Sequence, residues 1–269
     1  MSGTLLLRPP IRARLKLRRV LPGTRYLSLL VLLFGWQAAS SLGLVSARSL
    51  ASPVQVLAAG LALAASGELP WHVAVSLARV AVGLTLGLTV GAGLALWAGL
   101  SRVGEEVVDA PIQALRTLPF LALVPLFILW LGIGEAPKVG LVALGSAFPI
   151  YLNLYAGIRG GDPRLAEMGR VFGLSRAGLI RQVVLPGALP YALVGLRQSV
   201  SVAWLSLVVA EQINAQTGIG YLINDARDFM RTDVILVGLG LYALLGLGTD
   251  SLARALERRW LAWRPEAAR

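Results

Sequence analysis

Apolar residues in this chain come in long runs close to membrane-spanning length, broken by short polar or basic segments. A helix needs about 20 apolar residues to cross the hydrocarbon core of a bilayer. Six segments approach that length: 26–45, 72–100, 120–134, 139–157, 190–210 and 234–252. The second carries Gly83, Gly87, Gly91 and Gly93, small residues that let two helices approach closely. The third is short and contains Pro125, which predicts a kinked or tilted helix extended by residues before Pro119. Two further stretches are ambiguous. Pro53–Ala65 is apolar but too short to span comfortably, and is expected as a helix on the outer surface. Segment 217–231 is mixed in polarity and is expected to lie flat.

Composition agrees with this pattern. The 269 residues are 56% hydrophobic and 14% charged, whereas soluble domains carry about 25% charged residues. The predicted class is an all-α integral membrane protein. A net charge of +11 in a soluble chain would suggest nucleic acid. Here the bases lie between and beyond the apolar runs, which fits topology and anionic headgroups, with no nucleic-acid partner. Arg8, Arg12, Arg14, Lys16, Arg18, Arg19 and Arg25 precede the first run. Arg159, Arg164, Arg170, Arg176 and Arg181 fall between the fourth and fifth. Arg254, Arg258, Arg259, Arg264 and Arg269 follow the sixth. With six spans, all three regions share one face, so the positive-inside rule places both termini in the cytoplasm. A seventh span at Pro53–Ala65 would put the central basic segment opposite the basic N-terminus. The organisation predicted is a basic tail at 1–25, one membrane domain at 26–252 with a polar insert at 158–189, and a basic tail at 253–269. The first run is read as an uncleaved span, because no small-residue cleavage site follows it.

The insert is the most informative stretch. Residues 165–190 read LAEMGRVFGLSRAGLIRQVVLPGALP. Gly173 interrupts a helical pattern, Ser175 can cap a second short helix over 176–184, and Pro186 is expected to end it. Two short helices meeting at a glycine can seat in a groove of another protein. Such an elbow would present Val171, Phe172, Leu174, Leu179 and Ile180 inside a charged rim. The competing reading is an amphipathic loop resting on headgroups.

The insert resembles the EAA motif of bacterial ABC importer permeases, in which E-A-A, three residues, G, nine residues, I, one residue and L-P follow in order. Glu167, Gly173, Leu185 and Pro186 stand at the matching positions without gaps. Val183 replaces the usual Ile, and Met168 and Gly169 replace the two alanines. Segments 125–159, 173–197, 203–211 and 218–233 are similar to the branch that imports sulfonates, taurine and nitrate-type anions, and within it to aliphatic (alkane)sulfonate permeases. The resemblance implies a type I importer permease of about six spans in the bacterial cytoplasmic (inner) membrane, with the insert as its cytoplasmic coupling helix. Glu167, Gly173, Leu174, Ser175, Arg176, Leu185 and Pro186 would then contact the ATPase. It further implies a homodimer, an ABC ATPase dimer that binds ATP and Mg, and a periplasmic or lipid-anchored substrate-binding protein. This chain itself would bind no cofactor. Taurine, nitrate-type anions or a vitamin precursor are the alternative cargoes.

Other chemistry is thinly represented. A phosphate-binding loop needs G-x-x-x-x-G-K-[ST], and neither lysine, Lys16 or Lys138, follows a glycine. One histidine and no cysteine argue against a metal site or nucleophilic catalysis, and so against a membrane enzyme. A secondary transporter would show inverted repeats, and none is evident. His72, beside Trp71, is expected as an interfacial anchor. Asp162 before Pro163 reads as a helix cap. Arg79 and Arg197 lie about two turns inside spans, where an ionisable residue is costly and by default a functional candidate. Each can help pass an anion, or snorkel, or form a structural hydrogen-bonded pair. Asn153, Gln198, Ser199, Ser201 and Glu211 can line a polar path. Gln198 and Ser201 share a helix face with Val194 and Trp204, a face that can equally be a helix–helix seam.

Overall fold

The structure, a computed structural model, describes residues 24–46 and 49–262. Among these the regular elements are helices: α1 Thr24–Ser41, α2 Pro53–Ala65, α3 Glu68–Leu100, α4 Arg102–Leu115, α5 Phe120–Leu131, α6 Glu135–Arg159, α7 Pro163–Val171, α8 Arg176–Leu179, α9 Leu185–Asn214, α10 Ile219–Asp228 and α11 Thr232–Trp260. A five-residue π-helical segment, Ile180–Val184, joins α8 to α9. Most bases of the expected N-terminal tail, and Arg264 and Arg269, lie outside the described residues.

Among the described residues, four helices are long and apolar enough to cross a membrane: α3, α6, the joined α8–α9 rod and α11. The apolar part of α1, and α2 and α5, are shorter. Segment 102–119 does not extend the third span as expected. Ser101 accepts a hydrogen bond from the Gly104 N–H and starts a separate helix, α4. Thr117–Pro119 then breaks the chain before α5. The sixth span also departs from expectation, because α11 continues through the anticipated tail boundary to Trp260.

The centre is α3, α6 and α9 packed on one another. Bilayer helices have little hydrophobic drive to associate, so close backbone approach and hydrogen bonds do the work. Gly83, Gly87 and Gly91 form one stripe on α3, lying against Val142, Ala143 and Ala147 of α6 in that order. That order makes α3 and α6 parallel. A Cβ on Gly83 would stand 2.6 Å from Cβ of Val142, which no side chain tolerates without backbone movement. Ser199 on α9 donates to the Ser146 carbonyl of α6 at 2.6 Å. Gly157 of α6 meets Tyr191 of α9, whereas Gly195 meets Asn153, so α9 runs antiparallel to α6. Two ends of the molecule follow. At one, Leu100, Arg159 and the elbow between α7 and α8 gather, and at the other Glu68, Glu135, Glu211 and α10.

At the second end, segment 217–231 forms α10, a helix with one face buried. Ile219, Leu222, Ile223 and Ala226 are buried and pack with α9 and α11. Helix α2 begins in a capping box, with Ser52 accepting from Gln55 N–H and Gln55 from Ser52 N–H. It lies against α3 and α11, burying Leu63 with Leu222 and Val234.

Candidate functional site: the elbow and the charges within the bundle

The elbow begins at Asp162, whose carboxylate accepts the Arg164 N–H at 2.9 Å and caps α7, as expected. Gly173 adopts φ +78°, the left-handed conformation that glycine reaches without steric cost. The Leu174 N–H reaches back to the Gly169 carbonyl at 2.9 Å and closes the helix end. Ser175 then accepts the Gly178 N–H at 3.2 Å and starts α8. Gly169 is buried in the angle between the two arms. A Cβ there would lie 2.8 Å from Leu179 Cδ1 and 3.2 Å from Leu174 Cδ1, a local reason for glycine where the EAA pattern has alanine.

Two expectations about the elbow need correction. Pro186 does not end the second arm. It occupies the first turn of α9, where its missing N–H is least costly. The π-helical segment accommodates the join, leaving one helical rod from Arg176 to Ile213. The five apolar residues do not form one presented face either. Val171 and Phe172 protrude, 81% and 80% exposed. Leu174, Leu179 and Ile180 turn inward instead, toward a cleft of about 460 Å³ between the elbow and the ends of α3 and α6. Arg176 donates to the Leu100 carbonyl at 3.4 Å, while Glu167, Leu185 and Pro186 are exposed. Nearby, Glu105 of α4 pairs with Arg159 at 2.6 Å and accepts from the Tyr155 hydroxyl.

At the opposite end Arg79 and Glu211 meet. Arg79 is 3% exposed and Glu211 fully buried, their charges 2.6 Å apart. Arg79 also binds Glu135 through two nitrogens at 2.5 and 2.7 Å, and donates to the Thr217 carbonyl at 2.7 Å. Glu211 further accepts from Ser76 Oγ, Gly220 N–H and Tyr242 hydroxyl at 2.7, 2.8 and 3.0 Å. With Arg79 these donors give the carboxylate the hydrogen-bonded partners that a buried charge requires. Here the geometry supplies the hydrogen-bonded pair weighed for Arg79. His72 is not a surface anchor. It is 5% exposed, and its Nδ1 accepts the Gly218 N–H at 3.0 Å. Trp71, 60% exposed, points outward in its place.

Arg197 stands midway along α9 in a different setting. Its Nε donates to Asp250 of α11 at 2.7 Å, and Asp250 also binds Arg254. Gln198 accepts from Asn153 of α6 at 2.9 Å. Arg197, Gln198 and Ser201 line an open cleft of about 570 Å³ with Pro149, Val194, Val202, Asp250 and Glu257. Trp204 leaves this face and packs inward, donating to Thr249. Ser199 is buried against α6. Asp250 escaped the sequence reading although it sits in an apolar run, which was itself the signal. Glu135 also contacts Lys138 of its own helix at 3.3 Å, but Arg79 is its nearer partner. Among the described residues no cluster of His, Asp or Glu is placed to hold a metal.

A family model described as "Binding-protein-dependent transport system inner membrane component" matches residues 83–262, spanning the bundle and the elbow. The chain belongs to that family. This permease is 52% identical over 230 residues, 86% of its length and 88% of the relative's, to the putative aliphatic sulfonates transport permease protein SsuC of Escherichia coli K12. It is 44% identical to the Bacillus subtilis 168 protein of the same name, over 85% of this chain and 83% of the relative. With the E. coli taurine transport system permease protein TauC it shares 35% over 89% of both chains. In fold it resembles an amino acid ABC transporter (TM-score 0.60, 21% identity, covering 70% of this chain and 92% of that one). It also resembles the inward-facing MetNI methionine transporter (TM-score 0.53, 20% identity, covering 67% and 92%). The permease is thus a multi-pass inner-membrane component of a binding-protein-dependent ABC importer.

Proposed function

We propose that this permease carries aliphatic sulfonates inward, as one of two identical chains around a shared two-fold pore. The observation that carries the cargo assignment is 52% identity to a relative named for aliphatic sulfonates, against 35% to one named for taurine. In this reading an ATPase dimer, which holds ATP and Mg, grips the elbow of each copy from the cytoplasm. Phe172 and Val171 are the protruding apolar contacts, and Glu167 and Arg176 supply the charged rim. A substrate-binding protein, periplasmic or lipid-anchored, docks at the end that carries Glu135 and α10. Both termini lie in the cytoplasm and lipid surrounds the pair. Closure of the ATPases displaces the elbow, and the rod from Arg176 to Ile213 carries that displacement to α9. The bundle then alternates between two packed states.

The test is growth of a strain lacking this gene, with a complemented control, on an alkanesulfonate, taurine or sulfate as sole sulfur source. Loss of growth on alkanesulfonate alone is expected. Normal growth on all three, in a strain without a redundant importer, would overturn the sulfonate assignment and turn attention to nitrate-type anions or vitamin precursors.

A further inference from the structure

Arg197 stands seven residues inside the fifth apolar run, 190–210, about 10 Å along the helix axis at 1.5 Å per residue. That depth is inside the hydrocarbon core of a bilayer. Yet Arg197, Gln198 and Ser201 are exposed side by side on the surface of one chain. Polar groups at such depth do not face lipid; they face a bundle interior or a water-filled passage. The ion pair there is also unlike the one at Arg79. Arg197 is 46% exposed against 3% for Arg79, and its partner Asp250 has a second cation in Arg254. Releasing Arg197 therefore leaves Asp250 still paired, so the exchange strands no carboxylate. Releasing Arg79 would strand Glu211.

We infer, on the importer reading above, that Arg197 is the intramembrane contact for the anionic head of the cargo, with Asp250 as the counter-ion that the anion displaces and that later reclaims the guanidinium. A planar guanidinium matches oxyanions with paired N–H donors. Gln198 and Ser201 add polar groups beside it. Glu257, seven residues beyond Asp250 on α11, also lines the cleft. It opposes tight anion binding, as suits a passage that must let its cargo leave.

The experiment reconstitutes the whole importer, with ATPase and binding protein, in proteoliposomes. It follows uptake of radiolabelled ethanesulfonate per assembled complex. Arg197→Gln is expected to lower the maximal rate at least tenfold; wild-type kinetics in that variant would overturn the inference and leave the sulfonate reading intact. Asp250→Asn removes the group that retrieves the guanidinium. It is expected to lower the maximal rate and the half-saturating concentration together, each severalfold, because the anion is held longer. A lower rate at an unchanged half-saturating concentration would mean that the pair is only structural, and would overturn the inference. Failure of the wild-type complex to take up any ethanesulfonate, with the binding protein loaded, would overturn the sulfonate reading and this inference with it.

Discussion

At the scale of single residues, two positions differ in what makes them irreplaceable. Glu211 is needed for what it satisfies: a guanidinium, two hydroxyls and a backbone N–H converge on a carboxylate with no exposed surface. Removing one partner of such a pair leaves the other charge buried and uncompensated, at a cost of about 3–5 kcal/mol. Glu211→Ala should therefore lower the melting temperature of the detergent-purified permease by many degrees. Glu211→Gln, which keeps the shape but not the charge, should fall between it and wild type. An unshifted melting curve for the alanine variant would show the network to be dispensable. Gly173 is needed for its backbone. A side chain there meets open space but a φ of +78°, which costs a non-glycine residue on the order of 1–3 kcal/mol. Gly173→Trp should reopen the elbow and reduce ATPase recovered with a tagged permease at least tenfold; undiminished recovery with normal transport would remove Gly173 from the coupling assignment.

At the scale of elements, the unexpected feature is the continuity from α8 through the π-helical segment into α9. A proline after a short amphipathic helix reads as a stop because in a helix interior it removes a hydrogen bond and clashes with the preceding turn. Here the wider π turn precedes Pro186, and the helix runs on. Elbow and span are then one lever whose rotational phase matters. Inserting a single alanine after Val184 rotates one part against the other by about 100° and moves it about 1.5 Å. The variant is expected to insert in the membrane normally, as judged by fractionation, but to show ATP hydrolysis that the loaded binding protein no longer stimulates. Retained stimulation would indicate a flexible hinge in place of a rigid lever. The glycine stripe of α3 was legible as a close-packing signal, but its partner was not: alternating spans make α3 and α6 parallel, yet nothing in the sequence says that they touch.

For the whole molecule, charge asymmetry and packing direction make a joint statement. The helices that meet at Leu100, the elbow and Trp260 end in basic segments, and the opposite end gathers Glu68, Glu135, Glu211, Asp225 and Asp233. On the proposed reading, the positive-inside rule puts the elbow end in the cytoplasm. A fluorescent protein that matures only in the cytoplasm, fused after Arg269, should fluoresce fully, while one placed in the loop after Leu131 should stay dark. The reverse pattern would invert the topology and remove the elbow from reach of any cytoplasmic ATPase. On α1, Val31, Leu32 and Phe34 are more than 60% exposed, as befits a helix left to face lipid.

The sequence by itself determined the membrane class, the approximate spans and the elbow. Run length, charge placement and the break at Gly173 with its Ser175 cap are local properties, and local rules of solvation and backbone geometry suffice to read them, whereas Pro186, which the same rules read as a stop, lies inside the rod. It also marked Arg79 and Arg197 as costly, since an intramembrane charge stands out in one dimension. What each arginine faces was decided only by the tertiary structure. Arg79 meets residues 56 and 132 positions away, and Arg197 one 53 away. Partners so distant are set by which helix faces pack together, and a linear pattern of apolar residues holds little information about rotation around a buried axis. For the same reason His72, read as a surface anchor, turned inward, and α10 found its cover: an amphipathic segment shows that it has a buried side, and the rest of the molecule supplies what buries it.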